Sequence, residues 1–297
     1  MLYSLEDHYV ETNGLRLHVV QCGPLDGPLV VLLHGFPEFW YGWHRQIPAL
    51  AAAGYRVWAP DQRGYNLSDK PRAVNAYAVE ELVADVIGLL DAAGREQACV
   101  VGHDWGGIVA WHLAARHPAR LRRVAILNVP HPTVFGRTLR RSGRQRRKSW
   151  YALFFQLPWL PEQLARLRNW WAGRKSLTST SRRGTFSADD LRRYRLAWSQ
   201  PGAMRSMINW YRAAARRGRS STQLGRITVP LQLIWGRRDA FLEARMAEES
   251  QKYCDQGWLT YFDKATHWVQ HEEGTRVNEL LLEFFAEAGQ GRGNFEA

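Results

Sequence analysis

ACVVGHDWGG, residues 98–107, decides the fold of this chain. Ala98 to Gly102 form an aliphatic run of the kind found in a strand buried on both faces. The run leads straight into Gly102-His103-Asp104-Trp105-Gly106, which has the G-x-S-x-G form of a nucleophile elbow with aspartate in place of serine. A carboxylate is already ionised at neutral pH and can displace a leaving group from an sp³ carbon without a neighbouring base. The product would be an alkyl ester of the protein itself. Turnover then requires water to hydrolyse that ester, and so a histidine and an oxyanion hole.

On both sides of this stretch, strand and helix patterns alternate. Residues 7–12 and 15–22 read as two strands around Asn13-Gly14, a pair that favours a two-residue hairpin, so the sheet is expected to begin antiparallel. Leu29 to Leu33, Tyr55 to Ala59 and Val124 to Leu127 read as further strands, and residues 41–53, 79–92 and 106–116 as helices. The alternation stops at His131-Pro132. Up to about Arg226 the pattern is helical, with a helix start at Ser187/Asp190 and a second helix over residues 203–217. Strands resume at residues 231–235 and 259–262, and a closing helix over 277–286 carries Val277, Leu280, Leu281 and Phe284 at helical spacing. The expected architecture is α/β: a mostly parallel central sheet flanked by helices, with core segments 1–130 and 227–297 and an inserted helical cap over 131–226.

Charge divides along the same boundary. The net charge is +12, yet residues 131–229 hold 22 Lys and Arg against 3 acids, leaving the remainder with an acidic excess. The insertion is therefore a strongly basic lid on an acidic scaffold. Such a surface is either a solvated face or a site for weak association with an anionic membrane, where Trp150, Trp159, Trp170 and Trp171 lie among the arginines. No nucleic-acid partner is expected. With 45% hydrophobic residues and no run of 18 apolar ones, the chain reads as a globular, cytoplasmic protein, peripheral on a membrane at most, with disorder confined to the tail after Ala288. Cys22, Cys99 and Cys254 are widely spaced and read as buried thiols. No metal-binding or phosphate-binding motif occurs, so neither metal nor organic cofactor is expected.

An elbow at residue 104 calls for an acid and then a histidine at later strand ends. Asp239 follows the 231–235 strand in WGRRDAF, and His267 follows the 259–262 strand in KATHWVQ. The alternative acid position in related enzymes lies after the preceding strand, and that place is held here by Asn128, which cannot ionise. A lone Asp or His after a strand is more often structural, but three such residues in this order and context reverse that expectation. His271, the rival histidine, is expected on a solvated helix start. The oxyanion donors would be the backbone N–H groups of Phe36 and Trp105.

HGFPEFWYGW, from residue 34, occurs together with the GHDWGG elbow, and the pair resembles the epoxide hydrolases of the α/β-hydrolase superfamily. The likeness runs over residues 9–287 and includes DQRGYNLSDKP, the cap strings KSWYALFFQLP and NWYR, WGRRDAF and THWVQ. It implies that Tyr151 and Tyr211 hold the epoxide oxygen and donate a proton as the ring opens. For Tyr211 there is separate support, because it shares a helical face with Met204, Met207 and Ile208. Phe36, Pro37, Trp105 and Trp150 are the substrate-contact candidates, and a lipophilic epoxide the expected substrate. Haloalkane dehalogenases share the Asp-Trp elbow but generally need a second halide-binding Asn or Trp, where this chain has Phe36. Fluoroacetate dehalogenases carry Arg after the nucleophile, where it has Trp105. A third reading, a non-enzymatic protein binding anionic membrane or nucleic acid through the basic lid, predicts loss of a catalytic group.

Overall fold

The computed structural model describes residues 3–217 and 223–286, so the tail expected to be disordered lies outside the described residues. Among the described residues eight strands form one sheet in the order β1-β2-β4-β3-β5-β6-β7-β8. These are β1 (Glu6–Thr12), β2 (Leu15–Cys22), β3 (Leu29–Leu33), β4 (Arg56–Pro60), β5 (Ala98–His103), β6 (Leu121–Leu127), β7 (Leu231–Gly236) and β8 (Gly257–Phe262). The hairpin at Asn13-Gly14 pairs β1 with β2 antiparallel, and β2 meets β4 antiparallel. All other pairings are parallel, with β3 and β6 on either side of β5. Every residue of β3, β4, β5 and β7 is buried, as a sheet covered by helices on both faces requires.

The covering helices are α1 (Gln46–Ala52), α2 (Val79–Ala92), α3 (Trp105–Arg116), α10 (Arg245–Gln251), α11 (Val269–Glu272) and α12 (Gly274–Ala286). Instead of one helix over 41–53, a 3₁₀ turn at Trp40–Trp43 precedes α1. Pro48 accounts for the break: it has no N–H to give the residue four back, so it is tolerated only in a first turn. The cysteines Cys22, Cys99 and Cys254 are buried and unbridged, as the spacing implied.

Between β6 and β7 the chain forms α4 (Pro132–Arg141), α5 (Gly143–Lys148), α6 (Trp150–Phe154), α7 (Leu160–Thr180, broken by non-helical backbone at Leu167, Arg168, Asn169 and Trp170), α8 (Ala188–Trp198) and α9 (Ala203–Arg217). At the start of α8, Ser187 Oγ accepts the Asp190 N–H while the Asp190 carboxylate accepts the Ser187 N–H, the reciprocal cap that sets where the helix begins. The inserted helices lie over the carboxyl ends of the strands. Trp198 Nε1 donates to the Pro37 carbonyl at 2.6 Å, Trp210 Nε1 donates to the Arg63 carbonyl at 3.0 Å, and Tyr194 OH donates to Glu38 Oε1 at 2.7 Å. Three polar side chains from two inserted helices are thus fastened to the loops that follow β3 and β4.

Candidate active site

Asp104 occupies the turn between β5 and α3 with φ +48° and ψ −119°, a backbone conformation that side-chain-bearing residues avoid. The turn closes because glycine surrounds it. A Cβ on Gly106 would collide with the Leu33 carbonyl, and one on Gly35 with Asp104 itself. The strain thrusts the Asp104 carboxylate out of the sheet edge and toward the inserted helices.

Its two oxygens have different surroundings. Oδ1 accepts the Phe36 N–H at 2.9 Å, whereas Oδ2 lies 3.6 Å from His267 Nε2. The Trp105 N–H stands at the first position of α3, where no intrahelical acceptor exists, so it adds a second donor beside the same turn. His267 Nδ1 donates to Asp239 Oδ2 at 2.7 Å. Asp239 follows β7 and is itself held by four donors. Besides His267, Asn128 Nδ2 donates to Oδ2 at 2.7 Å, and the Phe241 and Leu242 N–H groups donate to Oδ1 at 2.7 and 2.9 Å. Asp104, Asp239 and His267 are therefore brought into one line, from β5, β7 and the loop after β8.

Burial works to lower the pKa of His267, but the charges and hydrogen bonds of Asp239 and Asp104 outweigh it and push the imidazole up to about 10. For the two carboxylates the balance is the mirror image. Burial would raise Asp104 and Asp239, and the neighbouring His267 cation, with the N–H donors, holds both below the usual carboxylate range. In this resting arrangement one positive imidazolium lies between two negative carboxylates.

Above the carboxylate stand the two tyrosines. Tyr211 on α9 is 9% exposed and lies on the buried face with Met204, Met207 and Ile208. Its ring meets Trp105 at 5.0 Å, Phe36 at 5.3 Å and Tyr151 at 5.9 Å. Burial and the nearby Asp104 charge raise both phenols, Tyr211 well above its ordinary value. Two further rings, which lie in the strings KSWYALFFQLP and WGRRDAF but carry no expected role, complete the wall: Phe155 lies 4.9 Å from Tyr211, and Phe241 lies 5.8 Å from Tyr151 and 5.0 Å from His267. Together the rings make an apolar chamber with charge only at its floor.

Two expectations need correction. Trp150 is 63% exposed and its ring neighbour is Phe154, so it points away from the chamber that its sequence neighbour Tyr151 enters. Successive residues on a helix are turned about 100° apart, which explains the divergence. His271 is not on a solvated helix start; it is 4% exposed and its Nε2 lies 2.7 Å from Glu38 Oε1. Glu38, which the sequence reading passed over, is the hub of a buried polar cluster. It accepts from Tyr194 at 2.7 Å and from Gln270 at 3.0 Å, and His103 Nδ1 approaches its Oε2 at 3.0 Å. His103 Nε2 in turn donates to the His267 carbonyl at 2.9 Å. Burial alone would raise the Glu38 carboxyl, but the facing histidines hold it well below its usual range. The glutamate of HGFPE was the available signal, since a buried carboxylate next to the oxyanion loop must have partners.

Pro37 is buried between Phe36 and Glu38, and its carbonyl serves as the acceptor for Trp198. Among the described residues no helix is long and apolar enough to cross a membrane.

Residues 28–274 match the alpha/beta hydrolase fold family model. The chain is 47% identical over 276 residues to the AB hydrolase superfamily protein YfhM of Bacillus subtilis, covering 93% of this chain and 96% of that protein. It is 37% identical over 286 residues to human epoxide hydrolase 4, covering 94% of this chain and 78% of the relative. Among solved structures, an epoxide hydrolase of Bacillus megaterium in complex with an inhibitor is similar with a TM-score of 0.86 at 29% identity, covering 94% of this chain and all of that one.

Proposed function

The chain belongs to the α/β-hydrolase superfamily and within it to the epoxide hydrolases, and from that premise we propose that it converts a lipophilic epoxide to a vicinal diol through an ester on Asp104. In this reading residues 131–226 act as the cap over a core of 1–130 and 227–297, and substrate binds between the two.

The observation that carries the mechanism is the split environment of the Asp104 carboxylate: Oδ1 on the Phe36 N–H and Oδ2 facing His267, beneath two phenols. Oδ2 is the free nucleophile. It attacks a ring carbon as the C–O bond breaks, and Tyr151 or Tyr211 gives its proton to the departing alkoxide. A phenol is a sound donor here, because the chamber raises its pKa and keeps it protonated.

Alkylation then changes His267. Ester formation removes the negative charge on Asp104 and with it one of the two interactions that hold the imidazole proton. The imidazolium returns a proton to the phenolate, and the neutral ring, oriented by Asp239, takes the proton of a water that attacks the ester carbonyl. Negative charge develops on Oδ1, beside the N–H groups of Phe36 and Trp105. Collapse breaks the bond between the Asp104 carbonyl carbon and Oδ2 as the His267 imidazolium gives its proton to that oxygen, and the diol leaves with it. The acid proton left on Asp104 passes to His267 and restores the resting pair.

The test is His267→Gln, incubated with aryl, terminal and fatty epoxides beside haloalkanes, followed by intact-mass measurement and peptide mapping. A mass gain equal to a whole epoxide on the Asp104 peptide is the expected result. An adduct from haloalkanes alone, lacking halogen, would replace this reading with a dehalogenase, and absence of any adduct would remove the ester mechanism.

A further inference from the structure

Away from Asp104, on the outer side of α9, lies a cavity of about 400 Å³ whose lining includes Arg72, Arg205, Arg212 and Arg216 with Trp159 at its rim. Arg212 is committed: its guanidinium meets Glu162 at 2.6 Å and the carbonyl of Phe155 at 3.0 Å. Among the described residues Glu162 is the one acid of the lining, so three guanidiniums remain in excess. Arg205 Nε is buried there with no hydrogen-bond partner among the described residues. An unsatisfied buried guanidinium nitrogen in a cavity whose lining holds three other arginines is an unfavourable arrangement unless an anion completes it.

The rim is unlike the rest of the surface. Trp159 is 67% exposed, and Trp150, Leu153, Leu157, Leu164 and Trp171 nearby in the chain are also exposed, all within the basic insertion. Large apolar side chains in this density on the outside of a protein mark a contact surface. Arg212 pins the segment from below, through the Phe155 carbonyl and Glu162, leaving Leu157 and Trp159 directed outward.

We propose that this face of the cap docks on an anionic phospholipid bilayer, with the arginine cavity taking a phosphate-bearing headgroup and Leu157 and Trp159 entering the interfacial layer. Charge selects the anion, and the leucines select the bilayer. A nucleic acid would use the arginines and could stack on tryptophan, but it offers nothing that buries Leu153, Leu157 and Leu164. A membrane interface accepts tryptophan at headgroup depth, leucine just below it and arginine beside the phosphates. Such docking sets the cap against the phase in which a lipophilic epoxide would be dissolved, although the docking surface itself does not depend on the catalytic reading.

The experiment is co-sedimentation of the full chain with phosphatidylcholine vesicles, and with vesicles in which about a third of the lipid is phosphatidylglycerol, over a range of salt. Sedimentation with the anionic vesicles alone, weakening as salt rises, is expected. The double variant Arg72→Glu/Arg216→Glu should lose at least about tenfold in vesicle affinity, and Leu157→Ala/Trp159→Ala should weaken binding at every salt concentration, with epoxide turnover of the detergent-free enzyme unchanged in both. Equal binding to neutral vesicles, no binding to either, or full binding by the arginine variant would overturn the proposal. So would complete release by millimolar inorganic phosphate, which would make a free anion the ligand, or preferential retention on a short DNA duplex.

Discussion

Asp104 Oδ2 and His267 Nε2 lie 3.6 Å apart, while Asp104 Oδ1 is bound to the Phe36 N–H at 2.9 Å. In the proposed cycle the two oxygens of one carboxylate thereby have different fates before any substrate arrives: one is held where an oxyanion would form, the other is left to react. His267 is near enough to steady the second oxygen electrostatically, and the gap exceeds a good hydrogen bond, so the oxygen is not tied down by it.

This asymmetry makes an isotopic prediction. In a single turnover in ¹⁸O-water with enzyme in excess, the diol should carry no heavy oxygen, and the label should appear in the Asp104 peptide. In the proposed cycle the oxygen donated to the diol is Oδ2, and water replaces it. Direct attack of water on the epoxide would put the label in the diol at once.

The two phenols should act on the first half of the cycle. Tyr151→Phe and Tyr211→Phe are each expected to slow the pre-steady-state formation of the ester, and the double variant to lose about 10² to 10⁴-fold, the usual worth of a positioned acid. Hydrolysis of an ester already formed should change much less. A double variant with an unaltered rate of ester formation would remove the phenols from the mechanism.

Stability should report the charge arrangement. Because the folded-state pKa of His267 is raised to about 10, its contribution is fully present below the unfolded value near 6.5 and is lost as pH climbs through about 10. The lowered carboxylates Asp104 and Asp239 contribute in the opposite sense, above their unfolded values, and lose that contribution in acid. Asp104→Asn removes one of the charges that raise His267. The wild-type Tm should therefore fall relative to that of the variant as the pH is raised from neutral toward about 10, and parallel Tm curves over that range would contradict the assignment.

Tyr194 should matter for the cap without touching the chemistry. Its hydroxyl donates to the buried Glu38 carboxylate at 2.7 Å, so Tyr194→Phe leaves that charge one donor short. A loss of about 1.5 to 3 kcal/mol is expected for a hydrogen bond to an ion, measurable by urea unfolding, whereas Asp104 should still form the ester when substrate saturates. An unchanged midpoint would mean that Gln270 and the two histidines satisfy Glu38 by themselves.

Much of the fold was legible in local sequence. The strand edges near Ala98, the hairpin at Asn13-Gly14 and the helix limits at Val79–Ala92 and Ala203–Arg217 agree with the structure because each is set by side-chain periodicity or by a turn residue a few positions away. The helix over residues 41–53 was misread because periodicity continued through Pro48, whose missing N–H decides the local hydrogen bonding. His271 was misread for a different reason. Its neighbours in sequence say nothing of Glu38, 233 residues away, which makes its burial tolerable.

The sequence by itself determined the positions of the strands, the elbow and the order of Asp104, Asp239 and His267 along the chain, since strand periodicity and turn chemistry are encoded in short runs of residues. Only the tertiary structure decided which side chains share a space: that Phe155 and Phe241 line the chamber, that Trp150 turns outward beside an inward Tyr151, and that Asn128 supports Asp239 through a 2.7 Å bond. Those outcomes depend on how segments far apart in the chain satisfy one another's burial and hydrogen bonds, and that balance exists only once the helices between β6 and β7 have been laid across the ends of the strands.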